Sequence, residues 1–135
     1  MAKKIFVNLP VKDLNKSTTF FKQLGFTFNP DFSDENAACM IVSDDILVML
    51  LTEPFFRFFT KKDISDATKT TEVIVSLSAD SKAEVDNIIA QALAAGATSS
   101  KEAMDQGFMY QNGFEDLDGH LWEFVYMDPT AVPQG

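Results

Sequence analysis

Two stretches of this chain carry the same order of structural signals, and a fold built twice from one unit is a narrower choice than composition alone could dictate. Ile5 to Val11 is a β-branched and apolar run that contains Pro10. Asp13 then stands as a helix N-cap before Leu14, Phe20, Phe21 and Leu24, which recur at helical spacing up to Gly25. Thr71 to Ser78 repeats the strand pattern. Ser81 and Glu84 form a capping box ahead of Val85, Ile88, Ile89, Ala92 and Leu93, and the helical pattern stops at Gly96. Short segments of strand composition follow each helix: Phe26 to Phe28, Ala37 to Val42 and Ile46 to Leu51 in the first half, then Phe108 to Gln111 and Leu121 to Tyr126 in the second. Each half reads strand, helix, then two or three strands. Phe6-Val7-Asn8-Leu9 lies over Ile74-Val75-Ser76-Leu77, and Asp45-Ile46-Leu47-Val48-Met49 over Gly119-His120-Leu121-Trp122-Glu123, at near-constant offsets. An internal duplication accounts for this.

Pro54 to about Lys69 separates the halves and holds Phe55-Phe56-Arg57-Phe58-Phe59 without strand alternation, so it reads as a linker carrying a short helix. Burying each phenylalanine is worth about 1.5–3 kcal/mol. Phe55, Phe56, Phe58 and Phe59 are therefore expected to cover a core edge of their own subunit, with a lid or a dimer contact as the alternatives. Asn112-Gly113 and Asp118-Gly119 are both hairpin-turn signals and compete for the last hairpin.

Composition removes whole classes of chemistry. The chain has 135 residues, 46% hydrophobic and 23% charged, which suits one folded domain. Twenty acidic residues stand against 11 basic ones, and the net charge of −9 makes nucleic acid and anionic membrane poor partners while leaving a small neutral or apolar ligand open. Cys39 and His120 are the single cysteine and histidine, so neither an intramolecular disulfide nor a Cys/His zinc staple is available. No run approaches the roughly 20 apolar residues of a membrane span. Lys3-Lys4 followed by a short apolar strand is not a signal-peptide pattern, and the expected location is the cytoplasm. No glycine-rich phosphate loop occurs, which leaves nucleotide cofactors without support.

Val11-Lys12-Asp13-Leu14, the Phe20-Phe21-x-x-Leu24-Gly25-Phe26 that follows, and Phe114-Glu115-Asp116-Leu117-Asp118-Gly119-His120-Leu121-Trp122-Glu123 resemble the vicinal oxygen chelate superfamily, which includes glyoxalase I, bleomycin-resistance proteins and extradiol dioxygenases. With Gly107-Phe108-Met109-Tyr110, the likeness is greatest to bacterial predicted lactoylglutathione lyases of unknown function. The resemblance implies an α+β fold in which two βαβββ modules form a cup-shaped, glyoxalase-like mixed sheet. The expected layout is one domain: module 1 over about 1–53, a linker over about 54–69, module 2 over about 70–128 and a tail at 129–135. It further implies a homodimer, because superfamily cups are usually completed between chains.

Metal-binding members place one ligand on the first and one on the last strand of each module. By the resemblance and the repeat, those positions are Phe6, Met49, Ile74 and Glu123. Three are apolar, and a divalent metal takes about three or more N, O or S donors. The expectation is therefore no bound metal and no other cofactor, in the manner of bleomycin-resistance proteins, with a cup that binds a small, partly apolar molecule. Strand alternation adds Asn8 to the face of Phe6 and Ser76 to that of Ile74, giving a ligand-binding set of Phe6, Asn8, Met49, Ile74, Ser76 and Glu123. The alternative is a metal-dependent glyoxalase-like lyase or dioxygenase that uses Glu123 as ligand or base and draws further ligands from His120, Glu115 or Asp116.

Glu123 shares its strand face with Leu121 and Val125 and is the catalytic-base candidate; it reads equally as an inherited carboxylate, either paired with a nearby hydroxyl or cation or simply hydrated in an open cup. His120, directly after Asp118-Gly119, reads as a turn-bracing residue. Cys39, inside an apolar strand, reads as core filler.

Overall fold

The computed structural model describes residues 3–130, and the chain divides between Ser65 and Asp66 into two compact units. Most of the tail expected at 129–135 lies outside the described residues. Among the described residues no helix is long and apolar enough to cross a membrane.

The first unit runs β1 (Ile5–Val11), α1 (Leu14–Gln23), β2 (Thr27–Asn29), β3 (Ala37–Ser43) and β4 (Ile46–Thr52). This is a βαβββ module. Asp13 caps α1 as expected, its Oδ1 accepting the Lys16 N–H at 3.0 Å. The sheet order is β1-β4-β3-β2, with β1 and β4 parallel and the rest antiparallel. A parallel pair needs a crossover, and α1 supplies it. Lys22 of α1 lies 5.8 Å over the Phe28 ring, which identifies the sheet face under the helix. Phe28 pairs with Met40, Met40 with Val48 and Val48 with Val7, so these side chains share that face, and Met40 and Val48 are completely buried.

Two short helical turns close this unit: α2 (Glu53–Phe56) and a 3-10 turn, Arg57–Phe59. The linker does carry a short helix, packed against β1 and β4. Phe55 meets Phe58 and Phe59 edge to face, yet Phe58 is 83% and Phe59 68% exposed. The expectation that all four rings cover the core of their own subunit therefore fails for these two; Phe55 and Phe56 are half-buried.

The second unit repeats the plan with β5 (Ile74–Ser78), α3 (Lys82–Ala94), β6 (Thr98–Ser99), β7 (Met104–Asp105), β8 (Met109–Glu115) and β9 (Leu121–Met127). Its sheet is β5-β9-β8, with β6 and β7 both pairing to the far edge of β8. The second strand of this module is thus split in two. β5 starts three residues later than its composition suggests, because β9 begins at Leu121 opposite Ile74 and earlier residues have no ladder to join. Thr71 instead donates to the Val73 carbonyl, a local bond that competes with extended pairing.

Ser81 caps α3, its hydroxyl accepting the Glu84 N–H at 3.0 Å, while the Glu84 carboxylate reaches past the cap to the Asp80 N–H. Ser81→Ala is expected to cost about 1 kcal/mol, read as a lower urea midpoint with an unchanged slope. Tyr110 donates to Asp86 of α3 at 2.6 Å, and Lys82 pairs with Asp105 of β7 at 3.1 Å. The Tyr110 bond identifies the face of this sheet that lies under α3. By alternation Phe114 lies on it too, and register adds Trp122 and Phe124; all three are buried.

The last hairpin belongs to Asp118-Gly119. Gly119 has φ +90, and an added Cβ would stand 2.8 Å from backbone atoms of Ala67 and Thr68, so only glycine fits. Asp116 organises this turn: its Oδ1 accepts the N–H groups of Asp118 (2.9 Å) and His120 (3.0 Å), and its Oδ2 accepts the Trp122 indole N–H (3.0 Å). Asn112-Gly113, the competing turn signal, sits in the middle of β8.

Candidate functional site

The structural register within each unit reproduces the duplication read from the sequence. Asn8 pairs with Met49 across β1 and β4, and Ser76 pairs with Glu123 across β5 and β9. Phe6 and Ile74 lie two residues earlier on the same faces. In each unit this is the face opposite the helix, since Val7 and Trp122 lie on the helix side. Phe6, Asn8 and Met49 thus share one face of the first sheet, on which Phe6 and Asn8 are exposed but Leu51 and Cys39 beside Met49 are buried, while Ile74, Ser76 and Glu123 share one open face of the second. Cys39 pairs with Met49 and is buried, and that burial pushes its thiol up, away from the reactive thiolate.

The second unit's face carries the chemistry. Ser76 Oγ donates to Glu123 Oε1 at 3.2 Å, and Lys101 Nζ donates to Oε2 at 2.7 Å. The pair is partly enclosed, with the Glu123 side chain 18% and that of Lys101 34% exposed. Lys101 Nζ also lies 3.7 Å from Met104 Sδ, and Gln111 Nε2 is 3.5 Å from the same sulfur. Leu121, Val125 and Ile74 flank the carboxylate, and Ile74 is 49% exposed. Glu123 thus has both a hydroxyl and a cation as partners.

The backbone explains how Lys101 arrives there. β6 pairs up to Phe114 and β7 resumes at Gln111, so residues 100–103 leave the ladder opposite Asn112 and Gly113. A break in an edge strand re-aims side chains. Asn112 Oδ1 accepts the Gly113 N–H at 2.8 Å within this gap. A Cβ on Gly113 would stand 2.4 Å from the Trp122 carbonyl oxygen, 3.3 Å from Glu123 Cγ and 3.4 Å from Ser100 Oγ. Glycine is what lets the carboxylate and the incoming segment share this space.

Sequence reasoning identified Ser76 and Glu123 but missed Lys101, Gly113, Gln111 and Met104. Ser99-Ser100-Lys101-Glu102 looks like any solvated loop. The available signal was Asn112-Gly113 within a strand-like run, which marks a place where an edge must give way.

Glu115, Asp116 and His120, the other candidate ligands, belong to the hairpin end of β8 and β9, where Asp116 is committed to the turn. Burial raises the Asp116 carboxyl above its ordinary value, opposed by the nearby His120 imidazole and the N–H donors. The residues present do not fit a divalent metal: among the described residues no three His, Cys, Asp or Glu side chains come together, and Glu123 is already engaged by Lys101 and Ser76.

The repeated βαβββ module and its strand orders define a glyoxalase-like α+β fold. Residues 3–43 match the family described as bleomycin resistance protein-like N-terminal. A hypothetical protein from S. aureus is 30% identical with a TM-score of 0.78, over 93% of this chain and 95% of that one. A glyoxalase/bleomycin resistance protein/dioxygenase family enzyme from Burkholderia phytofirmans PsJN is 17% identical with a TM-score of 0.78, covering 94% and 100% of the two chains. The fosfomycin resistance protein FosX from Listeria monocytogenes is 20% identical with a TM-score of 0.67, covering 96% and 97%. No curated protein matches the sequence. The chain has the fold of the glyoxalase/bleomycin resistance protein/dioxygenase proteins over nearly its whole length.

Proposed function

We propose that the protein binds a small, partly apolar molecule without a metal or other cofactor, at the open sheet face that carries Glu123. The observation behind this reading is the Ser76–Glu123–Lys101 arrangement beside exposed Ile74: a few placed polar groups on an otherwise apolar surface, as ligand sites require. Phe6, Asn8 and Met49 offer the first unit's counterpart. The relatives described as bleomycin and fosfomycin resistance proteins support a small-molecule role for the fold. Exposed Phe58 and Phe59 support a homodimer, since apolar rings left in water favour association. Closeness to lactoylglutathione lyases rests on sequence resemblance and would require a metal.

Elemental analysis of the purified, dialysed protein, followed by assay with added zinc, nickel or iron, tests the metal-free reading. The expected result is sub-stoichiometric metal and no lyase or dioxygenase activity; one retained metal per chain, or activity on addition, would show the metalloenzyme instead. Light scattering at micromolar concentration is expected to give the dimer mass.

A further inference from the structure

The ion pair at the centre of the site bears on what the ligand must look like. A carboxylate has room for about four hydrogen bonds. Glu123 receives two, from Ser76 and Lys101. Lys101 is delivered by a break in the edge strand, with β6 and β7 resuming pairing on either side, so the lysine stands on a segment free of the ladder. Its other polar neighbour is the thioether of Met104, a weak acceptor. The ammonium is therefore held by one charged contact, and its flexible stem can carry it into solvent. If another cation took its place, neither charge would be left buried and unpaired, which is the outcome that makes breaking such pairs expensive. The net charge of −9 draws cations toward the surface and repels anions. Ile74, Leu121 and Val125 supply apolar contact on the same face.

We propose that Lys101 is a displaceable counter-ion and that the ligand is an amphipathic organic cation, whose ammonium or guanidinium group replaces the Lys101 ammonium on Glu123 while its apolar body lies on Ile74, Leu121 and Val125. This rests on the reading of the open face as the binding site. The lysine keeps the carboxylate neutralised between binding events and sets a threshold that neutral and anionic molecules gain nothing by crossing.

The test uses three probes of similar shape: benzylamine, cationic at neutral pH, benzyl alcohol and benzoate. Each is titrated into methyl-labelled full-length protein while the Ile74, Leu121 and Val125 methyl signals are followed. Benzylamine is expected to bind about tenfold more tightly than benzyl alcohol, and Lys101→Met to widen that preference for the amine by about a further tenfold. Glu123→Gln is expected to abolish the preference for the amine. Lys101→Gln, which keeps a polar side chain, should behave as Lys101→Met does and guards against a packing effect. Preference for benzoate, or a Lys101→Met protein whose preference for the amine is no wider than the parent's, would overturn the proposal. Benzyl alcohol shifting the methyl signals with no gain for the amine would leave the binding face standing and remove the cation inference. If none of the probes moves those signals, both fall.

Discussion

Gly113→Ala is expected to destabilise the protein by about 3 kcal/mol, because the new methyl group meets a backbone oxygen and not a side chain that can turn aside. The Trp122 carbonyl, 2.4 Å from the added Cβ, belongs to the neighbouring strand, so relief requires β8 and β9 to move apart around the buried Phe114 and Trp122. The Glu123 Cγ and Ser100 Oγ contacts, at 3.3 and 3.4 Å, are tight as well, so the Lys101–Glu123 pair should loosen even in molecules that stay folded. Urea denaturation measures the first effect, and the methyl signals around Glu123 report the second. A protein with parental stability and unshifted signals would mean that the ladder has slack at this point. Asn112→Ala provides the contrast: it removes one hydrogen bond to the Gly113 N–H without adding bulk, and about 1 kcal/mol is expected.

The second large effect concerns Asp116→Asn, for which about 2 kcal/mol of destabilisation is expected. The carboxylate answers donors on both oxygens: two backbone N–H groups on one and the indole N–H of buried Trp122 on the other. An amide has one oxygen. Whichever way it turns, its NH2 group faces a donor, and a buried polar group loses its partner.

The size of this effect should also depend on pH. Burial raises the folded-state value of Asp116 above that of the unfolded chain, about 3.9. The folded state then holds the proton more tightly, so the stability this group contributes is fully present below about pH 4 and is lost as pH rises through the raised folded value. Asparagine does not titrate. The stability gap between the parent and Asp116→Asn should therefore narrow as the pH is raised above about 4, measured as paired urea midpoints. A gap that widened with pH would show that the N–H donors and His120 outweigh burial and hold Asp116 anionic.

Much of this architecture was legible because its signals are local. Asp13 and Ser81 mark helix starts by hydrogen bonds made within three residues, and both caps form. The duplication was legible because the same strand and helix patterns recur in the same order, and the structure pairs equivalent residues in the two units, Asn8 with Met49 and Ser76 with Glu123. Local signals failed where long-range pairing overrode them. Asn112-Gly113 has the composition of a turn, but Gly113 lies in a strand because Glu123 pairs with it across the sheet and the Asp116 carboxylate secures the turn farther along. Phe58 and Phe59 have the composition of core residues, but a short helical turn at the end of the first unit leaves them in water.

The sequence by itself determined the βαβββ repeat and the helix caps, since periodicity and capping depend on neighbours along the chain; the family resemblance singled out Glu123. The tertiary structure alone decided what Glu123 meets. Lys101 reaches it through a gap between two edge strands, over a glycine that leaves room for both side chains. That contact joins residues 22 positions apart through strand pairings that no local pattern encodes.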